Sequence, residues 1–181
     1  MRKIIANLFI SLDGVVEAPE TWHFPYLDEE MGQAIAAQMQ AADALLLGRH
    51  TYDVFAAHWP HRDAAQDPMA ATLNAVPKYV VSTTLTAPTW ANTTVIAADP
   101  RKELLQLKER PGRDIGMSGS PTLVTWLLRE GLLDELNLMV HPIVVGAGRR
   151  LFEPGTGQIP LTLTRSATFS TGVLNLTYTR A

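Results

Sequence analysis

Ile115-Gly116-Met117-Ser118-Gly119-Ser120-Pro121-Thr122 is the stretch on which the fold turns. Its start reads as a short buried strand and its end as the opening of a helix. Ser120 suits the N-cap, and Pro121 suits the first helical position, where a missing N–H does no harm. A capped helix explains those two residues. It does not explain Gly116 and Gly119, which allow the backbone to come close to a neighbour or a ligand. Leu45-Leu46-Leu47-Gly48-Arg49-His50-Thr51-Tyr52 repeats the arrangement, with a buried strand ending at a glycine and a helix following. A helix N-terminus offers free N–H groups and a positive dipole end, which suits a phosphate, and Arg49 adds a charged donor. Each turn alone is equally an ordinary strand-to-helix connection. Two of them in one sheet suit the two ends of a dinucleotide.

Working outward, residues 3–10 are β-branched and apolar and predict a strand buried on both faces. A long loop follows over 11–27, with Gly14, Pro19 and Pro25. Residues 28–41 predict a helix, with acids in the first turn and Met31, Ile35 and Met39 at four-residue spacing. A strand at 43–47 and a helix from Arg49 to His58 come next, then a loop from Pro60 onward. Strands are predicted at 78–82, 93–97, 114–117 and 134–145, and helices at 100–110 and 121–130. The C-terminal segments LTLTRSATF and VLNLTYTR, joined by Ser170-Thr171-Gly172, read as an antiparallel hairpin. About eight strands and four helices in this order imply an α/β domain over residues 1–181. Its mixed, mainly parallel sheet has helices on both faces and antiparallel strands at the end.

Composition narrows the function. A net charge of -3 argues against nucleic-acid binding through a broad basic surface. The absence of cysteine removes disulfides, thiolate nucleophiles and Cys-ligated metals. The five histidines show no ligand spacing, since Pro60 interrupts His58 and His61, so no metal is expected. The apolar N-terminal run meets Asp13 and Gly14 without a cleavage pattern, and no apolar stretch is long enough to span a membrane. A cytoplasmic protein is the expectation.

Other residues carry two readings each. Asp13 follows a central strand, where a carboxylate can point into a cleft; it is equally a turn residue before Gly14. Trp22, Phe24 and Tyr26 can wall a flat ring or pin the loop to the core. Asp28 suits a helix N-cap. Ser82, Thr83 and Thr84 close a buried strand and either bind a phosphate or form a turn. Val145-Gly146-Ala147-Gly148-Arg149-Arg150 starts like a dinucleotide fingerprint, but Pro154 and Gly155 leave no room for its helix, so a Rossmann reading is rejected.

Taken together, SLDG at 11–14, LLLGRHTYD at 45–53, KYVVST at 78–83, GMSGSPTLVTWLL at 116–128 and LDELNLMVHPIVVGAGRRLF at 133–152 resemble the dihydrofolate reductase-like superfamily. Within it, the chain is most similar to the reductase domain of the bifunctional riboflavin-biosynthesis deaminase–reductase and its stand-alone bacterial relatives. The resemblance implies the three-layer dihydrofolate reductase-like fold and NADPH as cofactor. Gly48, Arg49, His50 and Thr51 would hold the cofactor, Ser82 and Thr83 its 2′-phosphate, and Ser118, Gly119, Ser120 and Thr122 its pyrophosphate. Leu12, Asp13, Gly14 and Val15 would close over nicotinamide and substrate. Trp22, Phe24 and Asp28 lie where the superfamily places substrate contacts, and Asp13 is the candidate for substrate orientation or proton supply. The resemblance also implies a homodimer and a cis peptide bond between Ser118 and Gly119.

The expected function is an NADPH-dependent reductase of a small pyrimidine- or pterin-type substrate, similar to 5-amino-6-(5-phosphoribosylamino)uracil reductase. The strand Leu136–Val140 offers no threonine to grip a pterin. The alternatives are a dihydrofolate or other pterin reductase, and a non-catalytic NADPH-binding module.

Overall fold

In the computed structural model, which describes residues 1–63 and 65–181, eight strands form one sheet. They are β1 (Ile4–Ser11), β2 (Ala42–Gly48), β3 (Lys78–Val81), β4 (Thr93–Ile96), β5 (Asp114–Met117), β6 (Glu135–His141), β7 (Leu161–Thr168) and β8 (Leu174–Arg180). Their order is β4-β3-β2-β5-β1-β6-β8-β7. Every pairing from β4 to β6 is parallel, and β8 and β7 add antiparallel strands at one edge. Five α-helices pack on it: α1 (Glu29–Ala41), α2 (Arg49–His58), α3 (Pro68–Ala75), α4 (Pro100–Glu109) and α5 (Pro121–Glu130). Among the described residues, no helix is long and apolar enough to cross a membrane.

The alternation along β1 sets the two faces. Ile4, Ala6, Leu8 and Ile10 join Leu104 and Leu107 of α4 and Leu123, Val124, Leu127 and Leu128 of α5 in the main core. The opposite face receives α1, α2 and α3. There Tyr52, Leu73, Leu47 and Trp90 form a second core, and Met31, Met139, Phe169 and Val173 a third. Coverage on this side is thinner. Ile5, Asn7 and Phe9 are only half-buried although β1 has a strand on each side, and α1 fully buries Met31 alone. A central strand stays half-exposed only where the elements above it cover it incompletely, so this face of β1 is partly open.

Three predicted boundaries need correction. The polar stretch after Pro60 is not loop throughout, because Asp67 caps α3 by accepting from the amides of Met69 (3.0 Å) and Ala70 (3.2 Å), with Pro68 at its first turn. The strand predicted over 134–145 stops at His141, where Pro142 cannot donate to the ladder. The expected helix over 28–41 begins at Glu29, with Asp28 as its cap.

Lys78 opens β3 fully buried and faces no carboxylate among the described residues. Its ammonium donates to the carbonyls of Asn74 (2.8 Å) and Ala91 (3.1 Å) and lies 4.4 Å from the centre of the Trp90 ring. Trp90 in turn donates from Nε1 to Asn74 Oδ1 (2.7 Å), so one lysine ties α3, β3 and the start of β4 together. Burial lowers its pKa to about 8. The folded state therefore releases this proton before the unfolded state does, and stability gains as pH rises from about 8 towards 10. Chemical denaturation across that range should show the gain, and Lys78→Met should remove it.

Candidate functional site

The C-terminal ends of the parallel strands bring four connections to one edge of the sheet, where open α/β sheets bind ligands. They are the first loop after β1, the β2–α2 turn, the turn after β3 and the β5–α5 turn. β2 and β5 are neighbours, so the two glycine turns lie against each other. A Cβ on Gly48 would collide with Ser120 Oγ, and one on Gly119 would come within 2.7 Å of Thr51 Oγ1. Gly119 also has φ +147, which side-chain-bearing residues rarely adopt. The amide ends of α2 and α5 therefore open side by side. Ser120 caps α5 by accepting from the Leu123 amide, while Gly48 supplies no side-chain cap to α2. The cis peptide lies between Gly119 and Ser120, one step later than the resemblance implied, at the junction of the glycine with the cap.

A groove of about 440 Å³ continues from α2 along the ends of β3 and β4, lined by Arg49, Thr83, Thr84, Ile96 and Ala97 among others. Arg49 pairs with Asp53 on its own helix (2.9 Å) and reaches Thr84 Oγ1 (3.4 Å). The Arg49–Asp53 pair is exposed, and such pairs are weak enough to re-aim towards an anion. Ser82 lines the same groove. It is buried, and its hydroxyl accepts from the amides of Thr84 (3.2 Å) and Leu85 (3.1 Å), so it forms the turn. The exposed hydroxyls are those of Thr83 and Thr84. His50, Ser118 and Thr122 are exposed at the same edge, with Thr51 half-buried between the turns.

The first loop is clasped rather than free. Asp13 accepts from Ser11 Oγ (2.7 Å), the Val145 amide (3.0 Å) and the Gly146 amide (2.9 Å). Those bonds, the serine hydroxyl foremost, lower its pKa to about 2. So held, Asp13 is a carboxylate that fastens the first loop to the backbone of residues 145 and 146. Gly14 has φ +84, and its carbonyl accepts from the Leu151 amide (3.0 Å). Val15 is buried and bridges Arg150, which makes it a pin; Leu12 is the exposed member of the four. The rejected glycine fingerprint is thus the dock for this loop. Arg149 extends the dock to α5 by donating to Thr122 Oγ1.

The aromatic segment also differs from its substrate-wall reading. Trp22 is buried, donates from Nε1 to the Glu17 carbonyl (3.1 Å) and packs edge-on against His141. Phe24 is exposed and lies over His23 rather than inside the cleft. Asp28 spends one oxygen on the Met31 amide (2.8 Å) and the other on Ser170 Oγ (2.9 Å). Both oxygens thus take part in fixing the start of α1. His23 and His141 were missed as a pair. His141 is fully buried with Nδ1 on the Met139 carbonyl (2.8 Å), inside a ring of Phe9, Trp22, His23 and Tyr26. Burial lowers the pKa of both histidines.

The RibD C-terminal domain family matches residues 2–175. The chain belongs to that family. It is 30% identical to the Bacillus subtilis protein YyaP over 183 residues, covering 98% of this chain and 94% of that one. A pyrimidine reductase-like protein of Corynebacterium diphtheriae superposes with a TM-score of 0.68 at 15% identity, covering 99% and 92% of the two chains. Dihydrofolate reductase of Enterococcus faecalis, complexed with NADP(H), superposes with a TM-score of 0.63 at 13% identity, covering 98% and 96%. The dihydrofolate reductase-like fold is therefore that of this chain.

The Asp13 clasp generates a test. Asp13→Asn keeps the shape but replaces one acceptor oxygen by a donor that faces an amide. Hydrogen exchange at Val145 and Gly146 should quicken by about tenfold, the loss of roughly one charged hydrogen bond. Unchanged protection would show that other contacts hold the loop.

Proposed function

We propose that this protein is an NADPH-dependent reductase of a small pyrimidine-type substrate, with 5-amino-6-(5-phosphoribosylamino)uracil the first compound to test. The observation that carries this reading is the close approach of the two glycine turns in one seam, with Gly48 packed against the Ser120 side chain and Gly119 against that of Thr51, which brings the N-termini of α2 and α5 together. Backbone N–H groups at such a seam suit a pyrophosphate. Arg49, Thr83 and Thr84 suit the 2′-phosphate, and Arg49 is the charged donor that would separate NADPH from NADH. Ser118 and the first loop lie between this seam and the cleft under α1. When bound there, the cofactor supplies hydride from its nicotinamide C4.

The chain's own residues then have limited tasks. The glycine seam orients the cofactor. The clasped loop, through Asp13 and Arg150, keeps its position and limits water entry. The engagement of Asp28 in capping favours a neutral pyrimidinedione over a pterin, which needs an acid to hold its protonated ring. The nearly bare outer strand β7, with Leu163 half exposed, is the surface we assign to a homodimer contact.

Fluorescence titration should give a dissociation constant for NADPH at least about tenfold below that for NADH, as expected of one charge-assisted contact. Arg49→Leu should erase most of that preference, and Gly119→Val should abolish binding of both. Equal affinities in the wild type would overturn the phosphate assignment. Cofactor oxidation with the uracil substrate then separates an enzyme from a binding module.

A further inference from the structure

Burying a polar side-chain atom without a partner is costly, and folded proteins rarely do it. Among the described residues the unpartnered atoms are His23 Nδ1, Asn137 Oδ1, His141 Nε2, Thr171 Oγ1 and Asn175 Oδ1. They gather on one side of the sheet. Leu136 and Leu138 point into the main core, so Asn137, Met139 and His141 face the α1 side. Asn175 pairs with Met139 across the ladder and shares that face. His23 stacks on Phe9, also of that face, at 4.5 Å.

One pair in this group is built differently from a core contact. Asn7 and Asn137 are register partners on β1 and β6, each an amide inside an apolar strand. Asn137 Nδ2 donates to Asn7 Oδ1 at 2.9 Å. That bond uses the Asn7 carbonyl and leaves its Nδ2 donors with no partner among the described residues. Asn137 is 4% exposed, whereas Asn7 is half-buried, two residues before Phe9 on the partly open α1 side of β1. Asn7 lies four residues before the end of β1, about 13 Å below the edge that carries the glycine seam. Phosphates held at that edge do not reach it; a flat ring lying in the cleft does.

We propose that Asn7 is the specificity-determining residue that donates to a ring carbonyl or ring nitrogen of the substrate. Asn137 is its positioning residue, fixing which edge of the Asn7 amide faces the cleft. The proposal rests on the reductase reading, and its physical content is a fixed neutral donor. Such a group accepts a neutral lactam and leaves a ring lacking the acceptor with an unpaired buried partner. A pair kept only for stability would be better served by two apolar side chains packed on Phe9 and Met139.

The test compares wild type with Asn7→Leu, the double variant Asn7→Leu/Asn137→Leu, and Asn137→Asp. Three quantities are read: thermal unfolding, NADPH affinity, and affinity of the NADPH-loaded protein for 5-amino-6-(5-phosphoribosylamino)uracil and for uracil. The double variant should unfold at or above the wild-type Tm and bind NADPH as wild type does. It should bind the uracil probes at least about tenfold more weakly. Asn137→Asp has the same shape but no donor, so it turns the Asn7 amide over. It should weaken the probes as much as Asn7→Leu does, an effect that a packing role would not produce. A double variant that unfolds several degrees lower, or any Asn7 variant that binds the probes as wild type does, overturns the proposal. Failure of both probes on the wild-type NADPH complex overturns the substrate class instead. The Tm of the double variant then decides the role of the pair, a gain supporting it and a loss rejecting it.

Discussion

The site depends on how closely β5 fits between β1 and β2. β5 is only four residues long, yet it is central, with parallel partners on both sides. Its Gly116 passes beside Ala42, where a Cβ would stand 3.2 Å from that of the alanine. At the strand's end the next two glycine contacts continue the same seam, Gly119 against Thr51 and Gly48 against Ser120. Three backbone positions without side chains thus set the spacing of two strands and the two helices that follow them. A side chain at Gly48 or Gly119 would displace Ser120 or Thr51 at the start of the facing helix, whereas one at Gly116 would need a shift of only a few tenths of an ångström against Ala42.

The second constraint is charge. At the N-terminal edge of the sheet, charges serve structure. Arg2 pairs with Asp43, and Lys108 with Asp134 at 2.6 Å, where Asp134 also accepts the Ile4 amide (2.7 Å). Arg2 and Lys108 are buried, so removing either partner would leave a charge uncompensated. At the C-terminal edge, carboxylates again serve structure, through Asp13, Glu17 and Asp28. Glu17 accepts the Arg149 amide (2.9 Å), which adds a second clasp between the first loop and its dock. The loop is therefore fixed by anions bound to backbone N–H groups, an arrangement stronger than neutral bonds of the same length.

The sheet, its mixed direction and the C-terminal hairpin were legible because each rests on local pattern: apolar runs, capping residues and a glycine turn. The glycine turns were legible as candidate sites for the same reason. What sequence concealed depended on distant partners. Asp13 reads equally as turn former or catalyst until Val145 and Gly146, 132 and 133 positions away, are seen to bind it. Ser82 and Asp28 read as ligands by resemblance, yet their oxygens were needed nearby, by Leu85 and by Met31 and Ser170. The helix α3 was hidden because its eight residues are too few to show a period, although Asp67-Pro68 is a capping signal. Asn7 and Asn137 were visible as polar interruptions of apolar strands. Only the parallel register of β1 and β6 makes them a pair.

The cleft that results is polar without being ionic. Its nearest acids accept from amides and hydroxyls, and burial lowers the pKa of its two histidines. The partly exposed groups on the α1 face are Asn7, Phe9, Ile5 and Ile35. A surface of that kind discriminates by matching a donor to an acceptor and a flat ring to an aromatic face, with no charge to attract from a distance. The charged donors stand elsewhere, with Arg49 at the groove and Arg149 and Arg150 at the dock. On the proposed reading, the two recognition tasks would separate along the strands: anion binding at the sheet edge would fall to backbone amides and arginines, and neutral ring recognition on the sheet face to the Asn7 amide.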